Sequence, residues 1–293
     1  MLALNDVLIK YLLPKLPFYE LIFIRSIFII VSLCIFLIPK KQKANPALPS
    51  AANAPLRILR ATSLAVAGLL FFYAALTIPI SSATAIALCF PILLSIFARC
   101  FLNENISIEQ VCYLVLGFIG SLFIIQPTDF SSLGSNTGAH IAAAMSGLAI
   151  SIYLVTTRYL SNTINAIWLT IEAQIFLLSL ALIVFYLGKV DVLIFDLGSD
   201  QMRVLFSHWK YPNSTDALPL MILCLNGVGL FFLTVKSYEF AKASVIAPFE
   251  FFIIPFTMLF AIIIVREIPN FMQALGAALV FVALFQIKKY KSA

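Results

Sequence analysis

Nine apolar runs, each close to twenty residues long, follow one another at 17–38, 58–77, 80–102, 108–126, 138–160, 165–188, 217–237, 242–265 and 270–288. About 20 mostly apolar residues in a helix cross the ~30 Å hydrocarbon core of a bilayer. Residues 1–13 look like a tenth helix, too short to cross. Composition agrees with this reading. Hydrophobic residues make up 62% of the chain and charged residues 11%, against about 25% charged in soluble proteins, and the mean hydropathy is +1.05. So apolar a chain cannot cover its surface with polar groups in water, which excludes an ordinary soluble domain. The five cysteines lie in apolar runs without a disulfide framework or a Cys-x-x-Cys pattern, and no cleavable signal peptide is read.

Most connections are short and polar, as at Pro14-Lys15-Leu16, Asn103-Glu104-Asn105, Ser161-Asn162-Thr163 and Arg266-Glu267. Such tight turns make sequential helices antiparallel neighbours. Two connections are longer: a basic, Pro/Ala-rich stretch at 39–56, and an amphiphilic one at 189–216 expected to lie on the membrane surface. With ten spans and both termini cytoplasmic, twelve of the 19 Lys and Arg residues fall inside, six fall outside, and Arg25 remains within a helix. The positive-inside rule supports that orientation. The net charge of +6 therefore reports orientation rather than nucleic-acid binding.

The two halves resemble each other. Lys10-Tyr11-Leu12 matches Arg158-Tyr159-Leu160 at an offset of 148, and residues 82–87 match 242–247 at an offset of 160. Asn103-Glu104 matches Arg266-Glu267, and Gly117 matches Gly276. Five helices per half place the second copy upside down, the arrangement of alternating-access carriers with a site near the midplane. The match also leaves about a dozen residues without a counterpart ahead of Lys10, so either the chain starts further upstream or the first helix is a half-helix.

An ionisable group at the bilayer centre costs about 2.5–3.5 kcal/mol on insertion scales and needs a reason. A rise of ~1.5 Å per residue puts Asp6, Arg25, Glu172 and Glu250 about 10–13 Å below one surface or the other, on helices one, two, seven and nine. A shared interior cavity accounts for all four. Asp6 and Arg25 lie at matching depth and are expected to form a structural pair, with Lys10 as another partner for Asp6, or to take part in coupling. Glu172 and Glu250 have no evident basic partner at their depth and are expected to receive a cationic group or a proton. Glu20 is expected to be solvated near the outer interface, and the lone His140 and His208 to carry no chemistry. Pro248 and Pro255 flank Glu250, and Pro91 interrupts helix four, the repeat partner of helix nine. Proline leaves a carbonyl free one turn earlier, and paired breaks at corresponding positions point to a transport site. Phe249, Phe251 and Tyr73 are candidates to stack on a ring or face a cation. Small residues at 81–87 and at Ala142-Ala143-Ala144 with Gly147 serve helix packing.

No G-x-x-x-x-G-K-[ST] loop is present, so ATP is not the direct energy source. No His-Glu-x-x-His, Gly-x-Ser-x-Gly or Cys/His cluster appears, and no cofactor or metal is expected. An intramembrane enzyme using buried carboxylates is the alternative class, and a channel a third.

Leu102-Asn103-Glu104, Val265-Arg266-Glu267, the ten helices in two halves and the basic loop after helix two resemble the drug/metabolite transporter superfamily, EamA type. Asn5-Asp6-Val7, Lys10-Tyr11-Leu12, Glu20 and Arg25 resemble more narrowly its bacterial branch that includes S-adenosylmethionine uptake carriers. The resemblance implies an all-α membrane protein, with one EamA-like repeat at 1–128 and an inverted second at 137–288. It implies a central cavity lined mainly by helices three, four, eight and nine, and a secondary carrier of a small polar metabolite in the bacterial inner membrane. S-adenosylmethionine is the leading cargo, with an amino acid, drug or other metabolite as the alternative. The expected substrate-binding residues are Glu250, Glu172, Phe249, Tyr73, Pro248 and Pro91. Expected partners are the cargo, the lipid bilayer and a coupling proton or counter-substrate, without nucleic acid.

Overall fold

A computed structural model describes residues 1–36, 53–125, 136–189, 205, 208–266, 268 and 270–278. Most of the basic loop, most of the amphiphilic segment, Glu267 and the end of the tenth helix lie outside these residues. The described chain is helical, with no strand among the described residues. The spans run in order from Leu2–Leu12, Phe18–Phe36 and Ala54–Thr77 through a broken fourth to Ile108–Ile125. Thr137–Ser161, Ala166–Lys189 and Ser214–Phe240 follow, then a broken ninth and a tenth that begins at 271. Among the described residues, seven helices are long and apolar enough to cross a membrane. Phe101, Ile141, Ile183, Leu218 and Ile263 are among the many exposed large hydrophobics, a surface suited to lipid and not to water.

Proline and small polar residues set the helix starts. Pro55 and Pro91 sit in the first turns of their helices, and Pro79 caps the fourth span, positions where a missing N–H costs nothing. Asn213 and Asp216 form a reciprocal cap on the eighth span.

The first helix, at 11 residues, reaches only part of the way: Asn226, midway along the eighth span, donates to the Met1 carbonyl at 3.0 Å. It is nonetheless core, with Val7, Ile9 and Leu12 almost wholly buried. In lipid there is little hydrophobic force between helices, so close packing must hold them. The third and sixth spans form the most extensive pair. Small buried residues mark both helices, and Ala74 and Ala75 of the third share one core cluster with Ala139, Ala142 and Ala143 of the sixth.

The fourth and ninth spans share an unusual course. The fourth runs as Ile80–Ala87, turns at Leu88 and Cys89, and resumes as Phe90–Leu102. Pro91 therefore opens the second segment rather than kinking a continuous helix. The ninth runs as α-helix over Ala243–Ile246, 3₁₀-helix over Ala247–Phe252, α-helix over Ile253–Phe260 and π-helix over Ala261–Val265. Ile80 and Ala243 begin them, and the left-handed residues Asn103 (φ 52°) and Arg266 (φ 62°) end them, 163 residues apart in each case. The alignment of these two spans is thus offset by 163 rather than the 160 expected from residues 82–87. The offset of 148 has its own mark: Ser26 of the second span donates to Gln174 of the seventh, 148 residues on, at 3.0 Å.

Ion pairs tie the bundle at both ends. At the end carrying the first turn, Lys15 meets Asp216 at 2.6 Å, and this bond holds the Lys15 ammonium above its usual pKa. Trp209 packs there between Phe23 and Phe185, each 5.4 Å away. Glu20, expected to be solvated, is instead fully buried and accepts from the Lys210 backbone N–H at 3.0 Å, because the segment around Trp209 folds over it. At the opposite end, Glu104 accepts from Arg158 Nε at 3.2 Å and from the backbone N–H groups of Ala243 and Ser244.

Candidate functional site

A cavity of about 220 Å³ opens among the broken spans. Residues from eight of the ten spans line it, from Asn5 and Asp6 of the first to Glu250 and Ile253 of the ninth. Two packing devices shape its walls. The Cβ of a residue at Gly147 would lie 2.4 Å from the Ala87 carbonyl oxygen, so only glycine lets the sixth span approach the break in the fourth so closely. Ser151, one turn on, donates to the Phe90 carbonyl at 3.1 Å, serving a main-chain group next to the break. On the other broken span, a Cβ at Gly117 would lie 2.5 Å from the Phe251 ring, so the fifth span presses directly on the 3₁₀ segment that carries Glu250.

Glu250 lines the cavity and accepts a hydrogen bond from the Tyr238 hydroxyl at 3.1 Å. Among the described residues no Lys or Arg forms an ion pair with it. It is an acceptor set in a non-α turn, supported by one neutral donor. Asp6 and Arg25 also line the cavity and are joined through Asn5: Arg25 Nη1 donates to Asn5 Oδ1 at 3.0 Å, and Asn5 Nδ2 donates to Asp6 Oδ1 at 3.1 Å.

The other residues singled out in the sequence lie elsewhere. Glu172 is not on the cavity lining. It does have a basic partner, an ion pair with Arg57 that links the seventh span to the third. Arg57, one of the cytoplasmic charges in the sequence, stands in the first turn of the third helix and from there reaches Glu172. Tyr73, Phe249, Pro248 and Pro91 are likewise absent from the lining; Phe249 is 38% exposed, whereas Pro248 and Pro91 are buried in the walls. The aromatic rings that do line the cavity include Phe18, Phe71, Phe72, Phe90, Tyr153 and Phe231. His140 bonds its own helix at the Asn136 carbonyl.

Sequence reasoning missed Arg60, counted only among the twelve cytoplasmic charges. It is 1% exposed and held by uncharged groups: its Nε donates to Thr157 Oγ1 at 2.7 Å and its Nη1 to the Leu169 carbonyl at 2.9 Å. Its guanidinium lies over the Tyr153 ring at 4.9 Å, directly behind the cavity wall. The signal was present, since Arg57 and Arg60 sit one helical turn apart at the head of an apolar run. Asn5 was quoted only as part of a motif, and Thr84, Ser146 and Thr234, which add polar groups to the lining, were not singled out. No group of three or more His, Cys, Asp or Glu side chains suited to a metal ion occurs among the described residues.

Residues 1–126 match the EamA-like transporter family. A protein of Rickettsia prowazekii named S-adenosylmethionine uptake transporter is 26% identical over 290 residues, covering 96% of this chain and 86% of that protein. A Pseudomonas aeruginosa protein named pseudopaline exporter CntI is 24% identical over 291 residues, covering 99% of this chain and 92% of its own. One crystal structure superposes with a TM-score of 0.68 at 15% identity, covering 96% of this chain and 93% of that one, a likeness of fold. Residues 1–126 are thus similar to the EamA-like transporter family, and with its membrane-spanning helices, its central cavity and its near-full-length similarity to proteins named as transporters, the chain is a multi-pass membrane transporter.

Proposed function

We propose that this protein is a secondary carrier in the bacterial inner membrane that moves a small polar organic metabolite through the central cavity, with S-adenosylmethionine as its leading cargo. The observation that carries the reading is Glu250, placed at the cavity by a 3₁₀ break and lacking an ion-pair partner among the described residues. A sulfonium or ammonium group complements it, and the aromatic rings of the lining complement an adenine. The similarity to the uptake transporters, nearly full length, favours the same cargo. The similarity to the pseudopaline exporter favours a second reading, export of an amino-acid-derived metabolite through the same cavity.

The two halves are read as inverted repeats. The equal 163-residue spacing of the fourth and ninth spans and the Ser26–Gln174 bond between equivalent positions support this. So does the packing, in which the third span meets the sixth as the eighth meets the first. At about 220 Å³ the cavity is smaller than the ~300–1,000 Å³ of pockets that enclose drug-sized ligands. Loading a nucleoside-sized cargo therefore requires the halves to part, as alternating access demands. The cytoplasmic position of both termini follows from the Lys/Arg distribution, and a proton or counter-substrate supplies the coupling.

The test is uptake of labelled S-adenosylmethionine into proteoliposomes holding the purified protein. Saturable uptake, reduced at least ~10-fold by E250Q, is expected. Wild-type uptake no faster than in protein-free liposomes removes the cargo, and an unimpaired E250Q removes Glu250 from the site.

A further inference from the structure

Three charged side chains line the cavity, Asp6, Arg25 and Glu250, and Arg25 is the one whose bonding is incomplete. It is 6% exposed, and its Nε is buried without a hydrogen-bond partner. The group that touches the guanidinium is an amide, Asn5 Oδ1, which stands between it and the Asp6 carboxylate. A buried guanidinium gains most from a carboxylate that takes two of its donors at once, yet no such partner meets Arg25 among the described residues. Its position is well held. Gly227 leaves room for the stem, since a Cβ there would lie 3.2 Å from Arg25 Cγ and Cδ. The guanidinium lies over the Phe231 ring at 5.0 Å. The lining thus presents a fixed cationic side chain whose Nε lacks a partner, and separately an acceptor, Glu250, bonded to a tyrosine hydroxyl.

We propose that Arg25 binds the carboxylate of the cargo while Glu250 receives its cationic group, so that the transported class is the zwitterionic α-amino acids and their derivatives. This rests on the carrier reading above and narrows it. Asn5 is the positioning residue: by occupying Nη1 it keeps Asp6 from closing over the guanidinium and leaves the rest of the fork for the cargo.

The experiment measures binding by thermal shift of the full-length protein in lipid nanodiscs, using S-adenosylmethionine, decarboxylated S-adenosylmethionine, methionine and the amine left by decarboxylating methionine. In the wild type, each decarboxylated compound is expected to bind ~10- to 150-fold more weakly than its parent. R25Q is expected to weaken the parents by a similar factor while leaving the decarboxylated compounds within ~2-fold. Equal wild-type binding of parent and decarboxylated compound overturns the proposal and leaves the carrier reading intact, and this comparison needs no variant that might fold poorly. Equal weakening of both compounds by R25Q also overturns it. Binding of methionine but not S-adenosylmethionine removes the leading cargo and keeps the assignment of Arg25. Binding of none of the four removes both.

Discussion

Gly147→Ala sets two effects of known size against each other. Alanine is a better helix former than glycine by about 1 kcal/mol, and Gly147 lies within the long sixth span. The added Cβ, however, would sit 2.4 Å from the Ala87 carbonyl oxygen and 2.7 Å from Cys89 Sγ. An ordinary C···O contact is ~3.3 Å, so the two spans must separate by close to 1 Å. The atom struck is main chain at the break of the fourth span, which no rotamer change can move. Overpacking of this kind costs about 1–3 kcal/mol, and a main-chain clash belongs in the upper part of that range. The net expectation is a loss of about 1–2 kcal/mol, or about 2–8 °C in Tm at ~2–4 °C per kcal/mol. Gly68→Ala is the matched control: its nearest contact is Phe18 Cζ at 3.4 Å, an ordinary distance, so its Tm should hold or rise. Thermal unfolding in detergent, followed by tryptophan fluorescence, reads both. If G147A melts at or above the wild type, the close approach of the sixth span to the break is wrong.

Tyr238→Phe removes the hydroxyl that supports Glu250; uptake should fall ~2- to 12-fold, as for loss of one neutral hydrogen bond, and an unchanged rate would show that Glu250 is held by something else. Arg57 and Glu172 are partly exposed, 18% and 27%, so R57A should cost only about 1 kcal/mol; the charge swap R57E/E172R should recover much of that in the same melt, and a swap less stable than either single variant would refute the pair. Glu104→Ala strips the acceptor from Arg158 and from two backbone N–H groups at the start of the ninth span and should cost about 2–4 kcal/mol; a Tm within ~1 °C of wild type would contradict that bonding. Gly117→Ala drives a methyl into the Phe251 ring beside Glu250, so uptake should drop at least ~5-fold for a shift of the site by part of an ångström, and full activity would mean the 3₁₀ turn tolerates movement.

Much of the architecture could be read from the chain alone, because its causes are local. Length and apolarity give a span, a polar turn of three or four residues gives a hairpin, and proline near Glu250 and Pro91 gives the broken ninth and fourth spans. The short first helix was equally visible as an 11-residue element in the structure and a 13-residue run in the sequence. The depth of Asp6, Arg25 and Glu250 followed from counting residues, and all three reach one cavity. Depth failed for Glu172, at a comparable level but off the lining and paired with Arg57.

The sequence by itself determined that the chain enters the bilayer many times, where its helices break, and that Asp6, Arg25 and Glu250 lie far enough along their helices to reach a shared interior. Only the tertiary structure decided which charges meet. Each residue turns about 100° around its helix axis, so an error of one or two positions in helix phase points a side chain at lipid, at a neighbour or at the cavity. That phase is fixed by packing against other helices, as Gly147 against the fourth span and Gly117 against Phe251. Arg60 and Glu20 show the consequence: both were placed in contact with water by their position in the chain, and both are enclosed by neighbours that come from far along it.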